Sequence, residues 1–311
     1  MTLERALALV DASPGVAYPK PTVGAVVVAD DEIVGEGVTE AAGRHGEVVA
    51  LAAAGERARG ATMYVTMEPC AHRGTTPPCV DAILAAGIAR VVAGSLDPNP
   101  KAAGGLERLR AAGVEIELDD RLEARRQNEA WRTFASLGRP FVTYKAAMTL
   151  DGRLTLPGSR WISGEESRRL VHELRAASDA VAVGMGTARA DRPALTARDV
   201  GVARQPRRLA FGSGPLPEGV DLELLSGPLE EELGRLAEEG VQSLLLEGGP
   251  TLATAFIDAG LIDKLLVFVA PKLAGSGPTL LRELDKQVEL RRFDTRRVGY
   301  DILLTAYVNE P

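Results

Sequence analysis

The segments H-G-E-V at 45–48 and T-M-Y-V-T-M-E-P-C-A-H-R-G-T-T-P-P-C at 62–79 decide how this sequence is read. Together they hold both cysteines of the 311-residue chain. Two thiolates, Cys70 and Cys79, with one imidazole, His45, suit a borderline-soft tetrahedral zinc and leave the fourth position open for water. Such a metal brings the pKa of bound water from about 15.7 to about 7. Glu47, two residues past the histidine, is placed to take the water's proton without ligating the metal. A lone histidine is usually a satisfied polar residue, and two cysteines are usually small buried hydrophobes. Their order and spacing together point to a metal site.

His-x-Glu followed by Pro-Cys and a second Cys is the pattern of zinc-dependent hydrolytic deaminases of nucleobase-like rings. The bulk composition narrows the substrate. Net charge is −7 and aromatics make up 4% of residues, whereas a nucleic-acid binder needs basic stripes and stacking aromatics. A small-molecule substrate is expected, with no nucleic-acid partner. With 45% hydrophobic and 25% charged residues, the composition is that of a globular protein long enough for two domains. Both cysteines are assigned to the metal, leaving no disulfide, and a cytoplasmic location is expected. The N-terminus reads as an amphipathic helix, and no 18-residue apolar run exists, so neither a signal peptide nor a membrane span is expected.

Outward from the metal segments, the pattern alternates. A helix is predicted over 2–13, a β-hairpin over 22–29 and 32–37, and a helix over 46–57 that carries Glu47. Strand 62–67 precedes the cysteine loop, and a helix opens at Cys79 and ends at Gly87. Strand 90–93, helix 105–112 and strand 114–118 complete a three-layer α/β/α sandwich. The apolar run Val26–Val28 suits a strand covered on both faces. One charged helix is predicted over 119–136. Gly138 and Pro140 then mark a domain boundary, giving domains at 1–138 and 139–311.

The second half restarts with a strand from Phe141. Helices are predicted at 164–177, 229–239 and 250–260, and strands at 179–184, 207–211, 242–246, 264–270 and 300–308. It has no G-x-G-x-x-G. L-L-L-E-G-G-P-T-L at 244–252 is either an anion site at a helix start, built on Gly248 and Gly249, or simply a strand-to-helix turn. G-M-G-T-A-R-A-D at 184–191 reads as a second glycine-bearing loop. Among Arg175, Arg189, Arg192, Arg198, Arg207 and Arg208, one or two forks suit a sugar phosphate. Lys145 and Asp151 are polar groups at a strand end, with catalytic and structural readings both open.

Both halves resemble the bifunctional deaminase–reductase family of riboflavin biosynthesis. The first half carries P-T-V-G-A-V-V-V, H-G-E-V, E-P-C-A-H-R-G-T-T-P-P-C and D-P-N-P; the second carries R-P-F-V-T-Y-K-A-A-M-T-L-D-G-R, D-A-V-A-V-G-M-G-T-A-R-A-D-R-P and E-G-G-P-T-L. The resemblance implies a cytidine-deaminase-like sandwich followed by a dihydrofolate-reductase-like α/β domain. It implies zinc on His45, Cys70 and Cys79 with Glu47 as proton shuttle, and release of the 2-amino group of a diaminopyrimidinone ribosyl phosphate as ammonia. NADPH would then reduce the ribosyl group to ribityl. By motif position, Ala147, Trp161, Thr187, Asp191, Ser213, Gly249, Pro250, Thr251, Leu252, Ala253, Thr254 and Ala255 match cofactor-binding positions. Ser159, Arg175, Leu195, Arg198 and Glu247 match substrate positions, with Arg175 and Arg198 expected to clamp the phosphate. A homo-oligomer is also implied.

The sequence departs from that family at identifiable places. Lys20-Pro21 stands where Asn-Pro is usual, and Thr39 where a His is usual. The loop before the zinc histidine is about one residue shorter, Gly46 replaces Ala, and Gly104-Gly105 lacks an intervening residue. In the second half, Gly212 replaces an Asp before Ser213. The first-half departures motivate an alternative: a reductase whose zinc-binding domain has lost or changed its substrate. An RNA-editing deaminase fused to a nucleotide-binding module is the third reading, and the acidic composition opposes it.

Overall fold

The computed structural model describes residues 2–74, 76–202 and 204–311. The chain divides into two compact units, Met1–Leu137 and Gly138–Glu310.

The first unit runs α1 (Thr2–Asp11), β1 (Gly24–Ala29), β2 (Glu32–Val38), α2 (Gly46–Ala54), β3 (Thr62–Val65), α3 (Cys79–Ala86), β4 (Arg90–Ala93), α4 (Gly105–Ala111), β5 (Glu115–Leu118), α5 (Leu122–Arg126) and α6 (Glu129–Leu137). Its sheet order is β2-β1-β3-β4-β5. β1 is antiparallel to both neighbours, while β3, β4 and β5 are parallel. Alternation along β1 explains the layering. Val26 packs with Leu3 and Ala6 of α1, while Ala25 and Val27 join Ala50, Leu51 and Ile83 of α2 and α3 on the other face. Each fully buried valine contributes about 1.5–3 kcal/mol, so covering both faces of this strand fixes the sandwich.

The helix expected over 119–136 breaks in two at Gln127 and Asn128. The Asn128 side-chain amide accepts the Thr22 N–H and donates to the Thr22 carbonyl, both at 2.9 Å. Gln127 Nε2 donates to the Leu7 carbonyl and to Asp11 Oδ1. These amides satisfy backbone groups 106 and 120 residues away, and a continuous helix would aim them elsewhere.

The second unit runs β6 (Phe141–Thr149), α7 (Glu165–Ala177), β7 (Ala180–Gly184), α8 (Met185–Asp191), β8 (Arg207–Phe211), β9 (Glu223–Leu225), α9 (Leu229–Glu238), β10 (Ser243–Leu246), α10 (Pro250–Asp258), β11 (Lys264–Ala270), β12 (Arg291–Val298) and β13 (Asp301–Tyr307). The eight strands are ordered β12-β13-β11-β6-β10-β7-β8-β9. From β11 to β9 all pairs are parallel; β13 and β12 close the other side antiparallel. The carboxyl ends of β6, β7, β8 and β10 therefore share one edge, the usual place for ligands in such sheets.

Three elements correct the sequence reading. Residues 184–191 are not a loop: Gly184 is the N-cap of helix α8. β9 and β12 were not expected. β12 is exposed along seven of its eight residues, so it carries no one-sided apolar alternation to read. No helix among the described residues is long and apolar enough to cross a membrane.

Candidate functional site

Three elements bring the metal-binding side chains together. His45 is the N-cap of α2, with extended backbone at φ −74° and ψ 150°. Cys79 is the first residue of α3, and Cys70 lies in the loop after β3. His45 Nδ1 is 3.1 Å from Cys79 Sγ and 3.7 Å from Cys70 Sγ. All three ligand atoms lie within 4.8 Å of one another. The Cys79 N–H points at Cys70 Sγ at 3.4 Å, so a helix N-terminus supports thiolate charge there. Thr76 Oγ1 lies 3.4 Å from His45 Nε2, on the ring nitrogen away from the sulfurs, where a partner fixes ring orientation. Beside Cys79, which shares a hydrogen bond with it, the Cys70 thiol is lowered to about 4, against the effect of burial and with help from His45. Cys79 is pushed up by the Cys70 sulfur and by burial.

Glu47 is 3% exposed. Its Oε2 is buried with no hydrogen-bond partner among the described residues. Burial pushes its pKa up, against its own backbone hydrogen bond and the pull of His45. A buried acceptor without a protein partner is costly, and beside a Cys-Cys-His donor set it suits a proton-carrying ligand such as water. The donor set and this orphaned carboxylate oxygen fit zinc. The group opens into a cavity of about 290 Å³ whose walls include Lys20, Thr39, Met67, Asp97, Asn99 and Trp131.

One polar residue of this cavity had no assigned role. Glu68 is 6% exposed; its Oε1 accepts the Gly104 and Leu106 N–H groups, and its Oε2 accepts the Asp97 N–H, each at 3.1 Å. It ties the loop bearing Cys70 to D-P-N-P and to the start of α4. The sequence signal was an acid directly ahead of Pro69-Cys70. Burial raises the Asp97 carboxyl to about 6, against the Asn99 N–H that it accepts and with help from the charge on Glu68.

The departures near Val23 compensate one another. Thr39 Oγ1 accepts the Val23 N–H at 2.9 Å, and the Thr39 N–H donates to the Val23 carbonyl at 2.9 Å. A Cβ on Gly46 would stand 2.3 Å from that same carbonyl oxygen. The bare glycine lets the shortened loop bring Thr39 and α2 onto one peptide.

In the second unit the expected positions gather at the shared carboxyl edge. Gly249 is the N-cap of α10 with Pro250 next, and a Cβ on Gly249 would meet Thr187 Oγ1 of α8 at 3.5 Å. Arg189 of α8 donates to the Ser213 carbonyl at 3.1 Å. Thr187, Asp191, Ser213 and the Gly249–Ala255 segment are thereby linked, and Ala147 lies near the end of neighbouring β6. Within Gly249–Ala255, Ala253 and Thr254 are buried, so α10 presents its N-terminal turn rather than its whole length. Trp161 is half exposed, flanked by Arg160 and Arg168 at 5.0 and 5.2 Å from its ring centroid, and the Ser159 hydroxyl donates to its carbonyl.

Arg175 binds Glu247 through both prongs of its guanidinium, and Lys145 Nζ lies 3.2 Å from Glu247 Oε2. Arg175 Nη1 donates to the Thr196 carbonyl at 3.2 Å. The fork expected to clamp a phosphate is engaged here by Glu247 and the Thr196 carbonyl, while Arg198 is exposed. Leu195 buries its side chain in the core, and its backbone is left-handed at φ 51°, so only its main chain is available to a ligand. Asp151 is structural: Oδ1 accepts the Ala274 N–H and Oδ2 the Gly275 N–H. Arg207 pairs with Glu223 and Glu239, and Arg208 with Asp221.

Comparison with known proteins covers both units. The description "Cytidine and deoxycytidylate deaminase zinc-binding region" matches residues 2–95, and "RibD C-terminal domain" matches residues 140–304. The chain is 40% identical to the riboflavin biosynthesis protein RibD of Aquifex aeolicus, over 97% of this chain and 96% of that one. Among solved structures it resembles Acinetobacter baumannii RibD (34% identity, TM-score 0.84, covering 98% and 97% of the two chains). It also resembles the Thermotoga maritima diaminohydroxyphosphoribosylaminopyrimidine deaminase/5-amino-6-(5-phosphoribosylamino)uracil reductase (32%, 0.82, 98% and 97%).

Proposed function

The chain belongs to the RibD family of riboflavin biosynthesis proteins, and from that premise we propose how its own residues divide a two-step reaction. It is a bifunctional enzyme. It hydrolytically deaminates 2,5-diamino-6-(5-phosphoribosylamino)pyrimidin-4(3H)-one and then reduces the ribosyl group of 5-amino-6-(5-phosphoribosylamino)uracil to ribityl with NADPH. We assign the first step to residues 1–138 and the second to 139–311. The alternative, a reductase whose zinc-binding domain has lost or changed its substrate, is not favoured, because the chain matches both family descriptions and RibD relatives along nearly its whole length.

The observation that carries the deaminase assignment is Glu47 Oε2, buried without a partner beside His45, Cys70 and Cys79. His45, Cys70 and Cys79 would hold zinc, which would supply the acidity that makes water a nucleophile near neutral pH. Glu47 passes one proton of the attacking water to the neighbouring ring nitrogen, then carries the hydroxyl proton of the adduct to the amine, which leaves as ammonia while the ring carbon keeps the oxygen as a carbonyl. Burial raises the Glu47 carboxyl above its ordinary value and so favours its proton-carrying form.

In the second unit Thr187, Asp191, Ser213 and the α10 start would hold NADPH, with Ala147 and Trp161 on the neighbouring surface, and the cofactor would supply the hydride that reduces the ribosyl group to ribityl. Ser159, Arg198, the Leu195 main chain and the Arg175–Glu247 pair orient the substrate, since hydride transfer depends chiefly on positioning. A cytoplasmic location follows for an enzyme with two reduced cysteine ligands. A homo-oligomer is supported by the exposed edge strand β12, which carries Phe293.

Ammonia release and NADPH absorbance, followed together on zinc-loaded protein given the diaminopyrimidine, test the proposal. Ammonia should appear first and NADPH loss second. NADPH consumption solely from pre-deaminated substrate would leave the first unit without this role.

A further inference from the structure

We propose that Lys20 is the residue that holds the 5′-phosphate of the substrate in the deaminase cavity. The inference rests on the deaminase reading above. It starts from the charges around the cavity that also contains His45 and Glu47. Lys20 is the one lysine or arginine among the described residues lining it, whereas Glu47, Glu68 and Asp97 supply three carboxyl groups. The substrate brings a phosphate carrying about −1.5 to −2 at neutral pH. Without Lys20, the phosphate would meet these acidic side chains with no lysine or arginine on the described wall to offset them.

The position of Lys20 fits. It is exposed at the cavity mouth, where a phosphate remains partly hydrated while the ring goes inward to Glu47. Its Nζ lies 3.4 Å from where a Cβ on Gly43 would stand, over the shortened loop that leads to the zinc histidine. Its backbone is fixed by a hydrogen bond from its own N–H to the Ala17 carbonyl at 2.9 Å. Pro21 follows, restricting the Lys20 backbone to extended geometry. The ammonium is thus carried on an anchored backbone at the edge of the cavity.

The companion departure at position 39 serves a different purpose. Thr39 is 3% exposed, and its hydroxyl is occupied by the Val23 backbone. Of the two unusual residues in this wall, Thr39 is buried and Lys20 is exposed. Two further polar residues of the wall are engaged by backbone: Glu68 accepts three backbone N–H groups, and Asp97 Oδ1 accepts that of Asn99.

The test measures deaminase KM and kcat for the 5′-phosphorylated substrate and for its dephosphorylated nucleoside, with wild type, K20Q and K20R. A charge-assisted contact at a solvated mouth predicts roughly a tenfold rise in KM for the phosphorylated substrate in K20Q. The nucleoside KM and both kcat values should stay within about twofold, and K20R should recover most of the loss. Calorimetric titration of E47Q and E47Q/K20Q with the same two compounds should show the same selective weakening without turnover. The reductase rate from pre-deaminated substrate reports that each variant is folded. Equal effects of K20Q on both compounds, or no effect on either, would overturn the Lys20 assignment alone. Failure of wild type to bind or deaminate the phosphorylated compound would overturn the deaminase reading, and the assignment with it.

Discussion

Arg175 and Glu247, 72 residues apart in sequence, meet as a two-pronged ion pair, Nε to Oε1 at 2.6 Å and Nη2 to Oε2 at 2.9 Å. Lys145 completes the group, and Glu247 is 8% exposed in its side chain. Two cations on one buried carboxylate leave a net positive charge at the edge where the sheet receives its ligands. Removing the carboxylate strands both cations, and breaking a buried pair in this way typically costs about 3–5 kcal/mol. Glu247→Gln should therefore lower the unfolding free energy of the second unit by that order and depress reductase kcat/KM, with ammonia release unchanged. Denaturant unfolding and the two activity assays check this.

The same group sets an acid limit. Burial alone would raise the Glu247 pKa; Lys145 and Arg175 reverse it and hold the carboxyl at about 2, below its ordinary 4.5. A group whose folded pKa is depressed contributes stability above its unfolded pKa and loses it as pH falls through the folded value. Wild type should lose on the order of 3 kcal/mol from this source between about pH 4.5 and 2. Glu247→Gln should lack that component, so the difference between the two acid-unfolding curves should shrink over this window. A constant difference would reject the assignment.

Glu47→Gln separates metal binding from chemistry. The substitution keeps size and polarity but cannot accept the proton. Deaminase kcat should fall by about two to four orders of magnitude. Zinc content should stay near that of wild type, and reduction of pre-deaminated substrate should be unaffected. Metal analysis and the paired assays distinguish this from a structural zinc site, for which ammonia release would persist.

What the sequence disclosed depends on whether a feature is local. Strands covered on one or both faces, such as β1, announce themselves through side-chain periodicity. β12 does not, because both its faces are exposed and R-R-F-D-T-R-R-V has no buried side to mark. The split between α5 and α6 rests on Asn128 finding Thr22 across 106 residues, which no window of sequence contains. The metal ligands were legible because their order and spacing are constrained by one ion. Glu68 was passed over because its work is to collect backbone N–H groups from two distant loops. Arg207 and Arg208, read among the candidates for a sugar phosphate, are engaged by nearby acids: Glu223 on β9, Glu239 at the C-cap of α9 and Asp221 ahead of β9.

Gly46 tests whether the departures near the metal are coupled. A Cβ there would stand 2.3 Å from the Val23 carbonyl oxygen, on backbone that also pairs with Thr39. Gly46→Ala should destabilise the first unit by about 1–3 kcal/mol through overpacking and weaken zinc retention in a chelator competition. The reductase reaction should be unchanged. A variant as stable as wild type would show that the loop carrying Thr39 yields freely.

Gly212 is the corresponding test in the second unit. Its backbone has φ 133°, and a Cβ would stand 2.8 Å from Met185 Cγ and 3.2 Å from Met185 Cβ. The aspartate usual before Ser213 is therefore excluded here by two features, the backbone conformation and the Met185 side chain at the start of α8. Gly212→Asp should raise KM for NADPH several-fold and destabilise the unit by about 1–3 kcal/mol. Met185→Ala opens space but leaves the backbone as it is, so the double variant should recover part of the loss, with an interaction energy of about 0.5–1.5 kcal/mol in a double-mutant cycle. Strict additivity of the two substitutions would place the cost in the backbone alone and remove Met185 from the explanation.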